Sequence, residues 1–256
     1  MQLDSKVSTR KGLIDAMKTD FNQPIVSPIQ YQTATLSSSQ ESTPASRSQC
    51  SLSNFNCLNF EQQLRCRVKE KASQGDYVLA ITLLDQLIAL CPDNAADYNN
   101  RGLMYFRNNQ IVEALCDLTQ ALEINPNLDS AYNNRANCHA ALGDLAEAIA
   151  DYDLALDLNP TNLRAWINQG ITFRELKMYE LAIENFDIAL IIGNSGLLER
   201  IYLERGRAYH LRGDWNCAVA DYQKAIKILA PLPKLANYRL KAMTWLDELL
   251  CPLKIL

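Results

Sequence analysis

Arg101, Arg135 and Arg205 are each followed, sixteen residues later, by an acid: Asp117, Asp151 and Asp221. Where the same register passes through Gln169, the acid also becomes an amide, Asn185. Partners that change together imply contact. A guanidinium donates two parallel N–H bonds to a carboxylate, and a pair of carboxamides makes the neutral version of that contact. Such chemistry ties segments together and turns over no substrate. A second series, Asn100, Asn134 and Asn168, recurs at one constant step. Carboxamides in a row can hydrogen-bond the backbone of an extended chain. Asn as the habitual choice at that position, fixing local contacts, is the other reading, and the sequence leaves both open.

Residues suited to catalysis are scarce. The chain has two histidines, and His139 falls where neighbouring segments carry a core aromatic. The eight cysteines (Cys50, Cys57, Cys66, Cys91, Cys116, Cys138, Cys217 and Cys251) form no CxxC pair and lack histidines at ligand spacing, so neither a metal site nor a disulfide framework is expected. Free thiols inside helices act as small apolar filler, which points to a reduced, cytoplasmic setting. No Gly-rich phosphate loop and no GxSxG motif occurs. The expectation is a protein that is not an enzyme, with no cofactor. A net charge of −4 supplies no global basic field, so nucleic acid is not the expected partner. No apolar run is long enough for a transmembrane segment, and none marks a secretion signal at the N-terminus.

The elements that position these residues follow from a period. Ala80, Ala114, Ala148 and Ala182 are equally spaced, and Pro92, Pro126 and Pro160 keep the same step. A fixed interval of this length marks stacked units, none of which buries its apolar face alone. In residues 129–162, Tyr132, Ala136 and His139 give one helical stripe, Gly143-Asp144 a turn, and Ala148, Tyr152, Ala155 and Leu158 a second stripe. Asn159-Pro160 ends it, because the residue before proline leaves the α region. Each unit is a helical hairpin, and the units are 61–94, 95–128, 129–162, 163–196 and 199–232. Between the last two, Gly193 to Gly196 replaces the Asn-Pro stop and Leu197-Leu198 are extra, a change that reads equally as a hinge or as drift. A helix over 234–250 with Leu235, Tyr238, Ala242, Trp245, Leu246 and Leu249 on one stripe would cap the array. Residues 1–55, rich in Ser, Thr and Gln, read as a disordered tail.

The order aromatic, Gly, aromatic, then Ala, aromatic, Ala and Pro (Trp166, Gly170, Phe173, Ala182, Phe186 and Ala189 in one unit; Pro126 and Pro160 in others) resembles the tetratricopeptide repeat family over about residues 61–232. The plain repeats are similar to bacterial and cyanobacterial members. The resemblance implies an all-α, right-handed α-solenoid of five hairpins with a C-terminal capping helix. It also implies a protein–protein interaction scaffold that receives an extended peptide or helix in a groove lined by first helices. By position, the groove residues are Asn100, Asn134, Asn137, Arg164, Asn168, Arg174, Arg200 and Arg207. The arginines suggest an acidic peptide segment of another protein, although Glu175 and Glu204 lie among them. Relatives that clamp a chaperone's terminal carboxylate use a basic–Asn–Asn–Lys–Arg set. Here Asn137, Asn168 and Arg200 match, but Asn133 replaces the first cation and Glu204 reverses the last. The alternative role is a regulatory or complex-assembly adaptor whose N-terminal tail gates the groove. Self-association into a homo-oligomer is compatible with either.

Overall fold

The computed structural model describes residues 47–193, 196–229 and 236–250, with side chains from Phe60 onward. Eleven helices and no strand occur among the described residues: α1 (Arg47–Gln74), α2 (Tyr77–Leu90), α3 (Ala95–Arg107), α4 (Ile111–Ile124), α5 (Asp129–Leu142), α6 (Leu145–Leu158), α7 (Leu163–Glu175), α8 (Tyr179–Ile192), α9 (Leu198–Arg212), α10 (Trp215–Leu229) and α11 (Ala236–Leu250). The chain divides into a unit ending at Phe60 and a second from Glu61 to Leu256. In the second unit, successive pairs from the C-terminal part of α1 through α10 form the five expected hairpins. The tail expected over 1–55 lies outside the described residues up to residue 46, and Arg47 to Phe55 belong to α1. The capping helix is described from Ala236, and Leu235 of its expected stripe lies outside the described residues.

Local chemistry sets the boundaries. Asp76, Asn94 and Asn162 cap α2, α3 and α7 by accepting from the backbone N–H of Leu79, Ala96 and Ala165 at 3.1–3.2 Å. All five turns within hairpins place one residue in the left-handed region at the same register: Gly75, Asn109, Gly143, Lys177 and Gly213, with φ between 61° and 100°. Glycine takes this conformation without steric cost. Asn109 and Lys177 do so at a cost, and backbone bonds close their turns, from Gln110 N–H to Tyr105 O and from Met178 N–H to Phe173 O, each at 2.9 Å.

Each hairpin closes by fitting small residues against large ones. Ala80, Ala114, Ala148, Ala182 and Ala218 are fully buried. A Cβ added at Gly102 would lie 2.8 Å from Leu118 Cγ, and one at Gly170 2.9 Å from the Phe186 ring. The helices therefore touch at distances that admit no side chain there.

The expected charged pairs are present. Arg101 Nε and Nη2 donate to Asp117 at 2.7 Å each, Arg135 to Asp151 at 2.7 and 2.8 Å, and Arg205 to Asp221 at 2.7 and 2.8 Å. In the fourth hairpin Asn185 Nδ2 donates to Gln169 Oε1 at 2.9 Å. The structure adds a second partner from the preceding hairpin. Arg101 Nη1 reaches Asp85 at 2.7 Å, Arg205 Nη1 reaches Asp187, and Gln169 donates to Asp153 at 2.8 Å. One side chain thus clasps its own hairpin and the one before it. Tyrosines flank the guanidinium: Arg101 lies 5.6 and 5.9 Å from the ring centroids of Tyr98 and Tyr105, and Arg205 similarly between Tyr202 and Tyr209. The bond to Asp117 raises the Arg101 pKa further, so this cation is permanent.

Arg135 is the exception. Thr119 stands where its neighbours in register have Asp85, Asp153 and Asp187, and Asp151 is its one acidic partner among the described residues. His139 takes the place of the second tyrosine. It is half-buried, with Nε2 4.0 Å from Asp151 and Nδ1 lacking a hydrogen-bond partner among the described residues.

The cap seals the last hairpin. Ala242, Trp245, Leu246 and Leu249 of α11 pack on Leu203, Ala218, Tyr222 and Ala225, while Tyr238 is largely exposed.

Two stability changes follow. Asp151→Ala strands Arg135 and should lower unfolding free energy in urea by about 2–4 kcal/mol, less than for a fully buried pair because Arg135 remains 23% exposed. Thr119→Asp should supply the missing second carboxylate and raise stability by about 0.3–1 kcal/mol in the same assay at low salt.

Candidate functional site

The first helices α3, α5, α7 and α9 lie side by side, and the expected groove residues sit on them. Their polar groups are largely bonded to one another. Asn134 Nδ2 donates to Asn99 Oδ1 at 2.9 Å, Asn168 Nδ2 to Asn133 Oδ1 at 3.3 Å, and Arg200 Nη2 to Asn168 Oδ1 at 3.0 Å. The carboxamide series is therefore spent, in part, on joining hairpins. Asn99 and Asn133 are the buried members, and the doublets Asn99-Asn100 and Asn133-Asn134 are the sequence signal for them. Asn100 is exposed and makes no hydrogen bond to another described residue.

Three of the expected residues converge on one cavity of about 250 Å³. Asn137, Asn168 and Arg200 line it together with Tyr152, Thr172 and Glu175. The Tyr152 hydroxyl donates to Asn137 Oδ1 at 2.7 Å, and burial raises its pKa, so it remains a proton donor. Arg200 has no carboxylate within ion-pair distance among the described residues. The cavity thus offers a guanidinium with donors to spare, two carboxamides and one opposing acid. This suits a chain bearing both carbonyl and carboxylate oxygens. Tyr152 reads from the sequence as a core aromatic, and its polar end has no sequence signal.

The other arginines divide. Arg164 is exposed and unpaired among the described residues. Arg174 is bonded to Glu204, which is buried and also 3.6 Å from Lys241 Nζ of the capping helix. Arg207 donates to Glu248 at 3.0 Å and lies 4.8 Å from the Trp245 ring centroid. Glu204, the charge reversal of the clamp pattern, is therefore an internal counter-ion. Arg174 and Arg207 serve to fix α9 and α11.

Titratable groups with catalytic potential are muted. Burial pushes the Cys138 thiol up to about 12, away from thiolate reactivity. Among the described residues no group of three or more His, Cys, Asp or Glu is placed to hold a metal ion, and no helix is long and apolar enough to cross a membrane. His210 packs edge-on to Tyr222, with Nδ1 3.3 Å from Arg207 Nη1 and 3.4 Å from the Tyr222 hydroxyl. Burial, then the Arg207 charge, lowers its pKa, against a smaller opposing pull from Glu248.

The repeated hairpin, its small-to-aromatic packing and its turn register are those of tetratricopeptide repeats, and the chain contains such repeats. A tetratricopeptide repeat model matches residues 130–162 and a second TPR repeat model residues 69–109. Among solved structures, a thermophilic TPR protein of Thermus thermophilus is 19% identical, with a TM-score of 0.64 over 73% of this chain and 98% of that one. A tetratricopeptide repeat protein of Parabacteroides merdae is 23% identical, with a TM-score of 0.56 over 73% and 74% of the two chains. A MamA protein is 21% identical, with a TM-score of 0.53 over 70% and 94%. These likenesses concern the fold. No curated protein sequence matches the chain.

The lowered His210 pKa fixes a sign. The folded state favours neutral imidazole, so its contribution is complete above the ordinary value of about 6.5 and is lost as pH falls below it. Between pH 7.5 and 5.5 the wild-type melting temperature should fall more than that of His210→Gln, as followed by circular dichroism. Equal falls would remove His210 from the account.

Proposed function

We propose that this chain is a protein-interaction scaffold whose first-helix face binds an extended, acidic segment of another protein. The observation that carries the reading is Arg200. It lines a cavity with Asn137 and Asn168, it bonds an amide oxygen, and no carboxylate neutralises it among the described residues. Exposed Arg164 on α7 adds a second cation. Arg174 and Arg207 do not contribute, because Glu204 and Glu248 already occupy them. Asn168 would act through Arg200, since its carbonyl orients the guanidinium. Affinity would come from a preformed surface, with little ordering of the scaffold on binding.

Arg200→Glu is the discriminating variant, because Arg200 ties no buried acid and its loss leaves the clasps intact. Partners captured by the wild-type chain from a lysate and identified by mass spectrometry should drop out with this variant. Its circular dichroism melt should stay cooperative and close to the wild-type value, since only the bond to Asn168 is lost. Retention of all partners would move the binding surface elsewhere.

A further inference from the structure

The first-helix face repeats its architecture from hairpin to hairpin, yet the site between the first two hairpins differs in kind from the one between the third and fourth. Moving back two repeats from the Arg200 cavity converts Asn137 to Lys69, Tyr152 to Leu84, Asn168 to Asn100 and Thr172 to Met104. In the later site the Tyr152 ring fills the slot between helices, and its hydroxyl holds Asn137. Leu84 has neither ring nor hydroxyl. The equivalent space is a larger cavity of about 360 Å³, a size at which pockets enclose small ligands. Its floor is apolar and tightly buried: Leu84, Leu87, Met104 and Val68. Met104 brings a flexible thioether that adapts to whatever enters.

The rim is polar and partly uncommitted. Arg65 and the fully buried Asp97 satisfy each other. Lys69 and Asn100 are exposed and form no hydrogen bond or ion pair with another described residue. With Arg65 and Asp97 cancelling, Lys69 is the charge left unbalanced at the mouth.

We infer that this pocket is a second contact point on the same face, and that it accepts a bulky apolar side chain lying next to a carboxylate in a partner's extended chain. The apolar floor takes the side chain, Lys69 pairs with the neighbouring acid, and Asn100 bonds the backbone between them. Asn100 is free for this because, unlike Asn134 and Asn168, it is not spent on the preceding hairpin. The inference shares with the proposed function the premise that this face receives an extended chain, but uses none of the Arg200 site.

The test is methyl NMR on the full chain with 13C-methyl methionine, Met104 being assigned by loss of its signal in Met104→Leu. The probe is a short Gly/Ser peptide carrying a single Phe-Asp pair, with Phe-Asn and Ala-Asp peptides as controls. The Met104 methyl should shift saturably with the Phe-Asp peptide, and at least about tenfold more weakly with either control. Leu84→Tyr should abolish the shift by filling the slot as Tyr152 does. Lys69→Gln, an exposed change that leaves the fold untouched, should reduce Phe-Asp binding to the Phe-Asn level. Arg200→Glu should leave it unaltered, which separates this site from the other. An unmoved Met104 signal, an equal response to all three peptides, or wild-type binding by Lys69→Gln would overturn the inference.

Discussion

The structure depends on the pairing of buried carboxylates with arginines, two of which also reach the preceding hairpin. Asp117, Asp151 and Asp221 are nearly inaccessible to water, and a buried ion without a partner is among the most destabilising features a fold can carry. Each is met by a bidentate guanidinium from its own hairpin, which sets the angle and height of one helix against the other. Because the guanidinium has donors on two edges, the remaining edge can hold an acid of the preceding hairpin, as Asp85 and Asp187 show. The same contact therefore shapes the hairpin and stacks it. Where the charge is given up, Gln169 keeps the geometry with Asp153 and Asn185, so the frame tolerates a change of chemistry, and at Arg135 it tolerates the lack of a bond to the preceding hairpin.

On this constant frame, the first-helix face varies by substitution at fixed positions. Glycine against Phe186 or Leu118 fixes how near the helices come, and the large residue opposite decides what space is left. A tyrosine at position 152 divides the space and adds a hydroxyl. A leucine at position 84 leaves it open and apolar. Polar groups on this face are committed or free according to whether a neighbouring hairpin offers them a bond. That is why Asn168 holds Arg200 while the Asn100 side chain has no bond among the described residues.

The C-terminal end obeys a different constraint, since the last hairpin has no successor to cover it. Helix α11 supplies the missing apolar face through Ala242, Trp245, Leu246 and Leu249. It also brings Lys241 and Glu248 to Glu204 and Arg207. Charges that the face would otherwise present to a partner are consumed in closing the array.

Much of this was legible in the residues. The constant repeat period, the turn glycines and the Asn-Pro stops specify helices and hairpins because each acts over a few neighbouring bonds. The clasps were legible too: a hairpin is a rigid local object, and the same separation always brings the same two side chains together. What the sequence could not supply is the bonding between hairpins. Asn134 meets Asn99 across 35 residues, Arg200 meets Asn168 across 32, Arg174 meets Glu204 across 30, and Arg207 meets Glu248 across 41. The Asn-to-Asn bonds keep one step, since Asn168 meets Asn133 over the same 35 residues, but the arginine contacts depend on how one hairpin is seated on the next and on the extra Leu197-Leu198 before the fifth. Sequence alone determined which residues are helical, which face is apolar and which ions are paired within a unit. Only the tertiary structure decided which polar groups on the first-helix face remain free, since that is settled by stacking geometry over distances that local spacing does not encode.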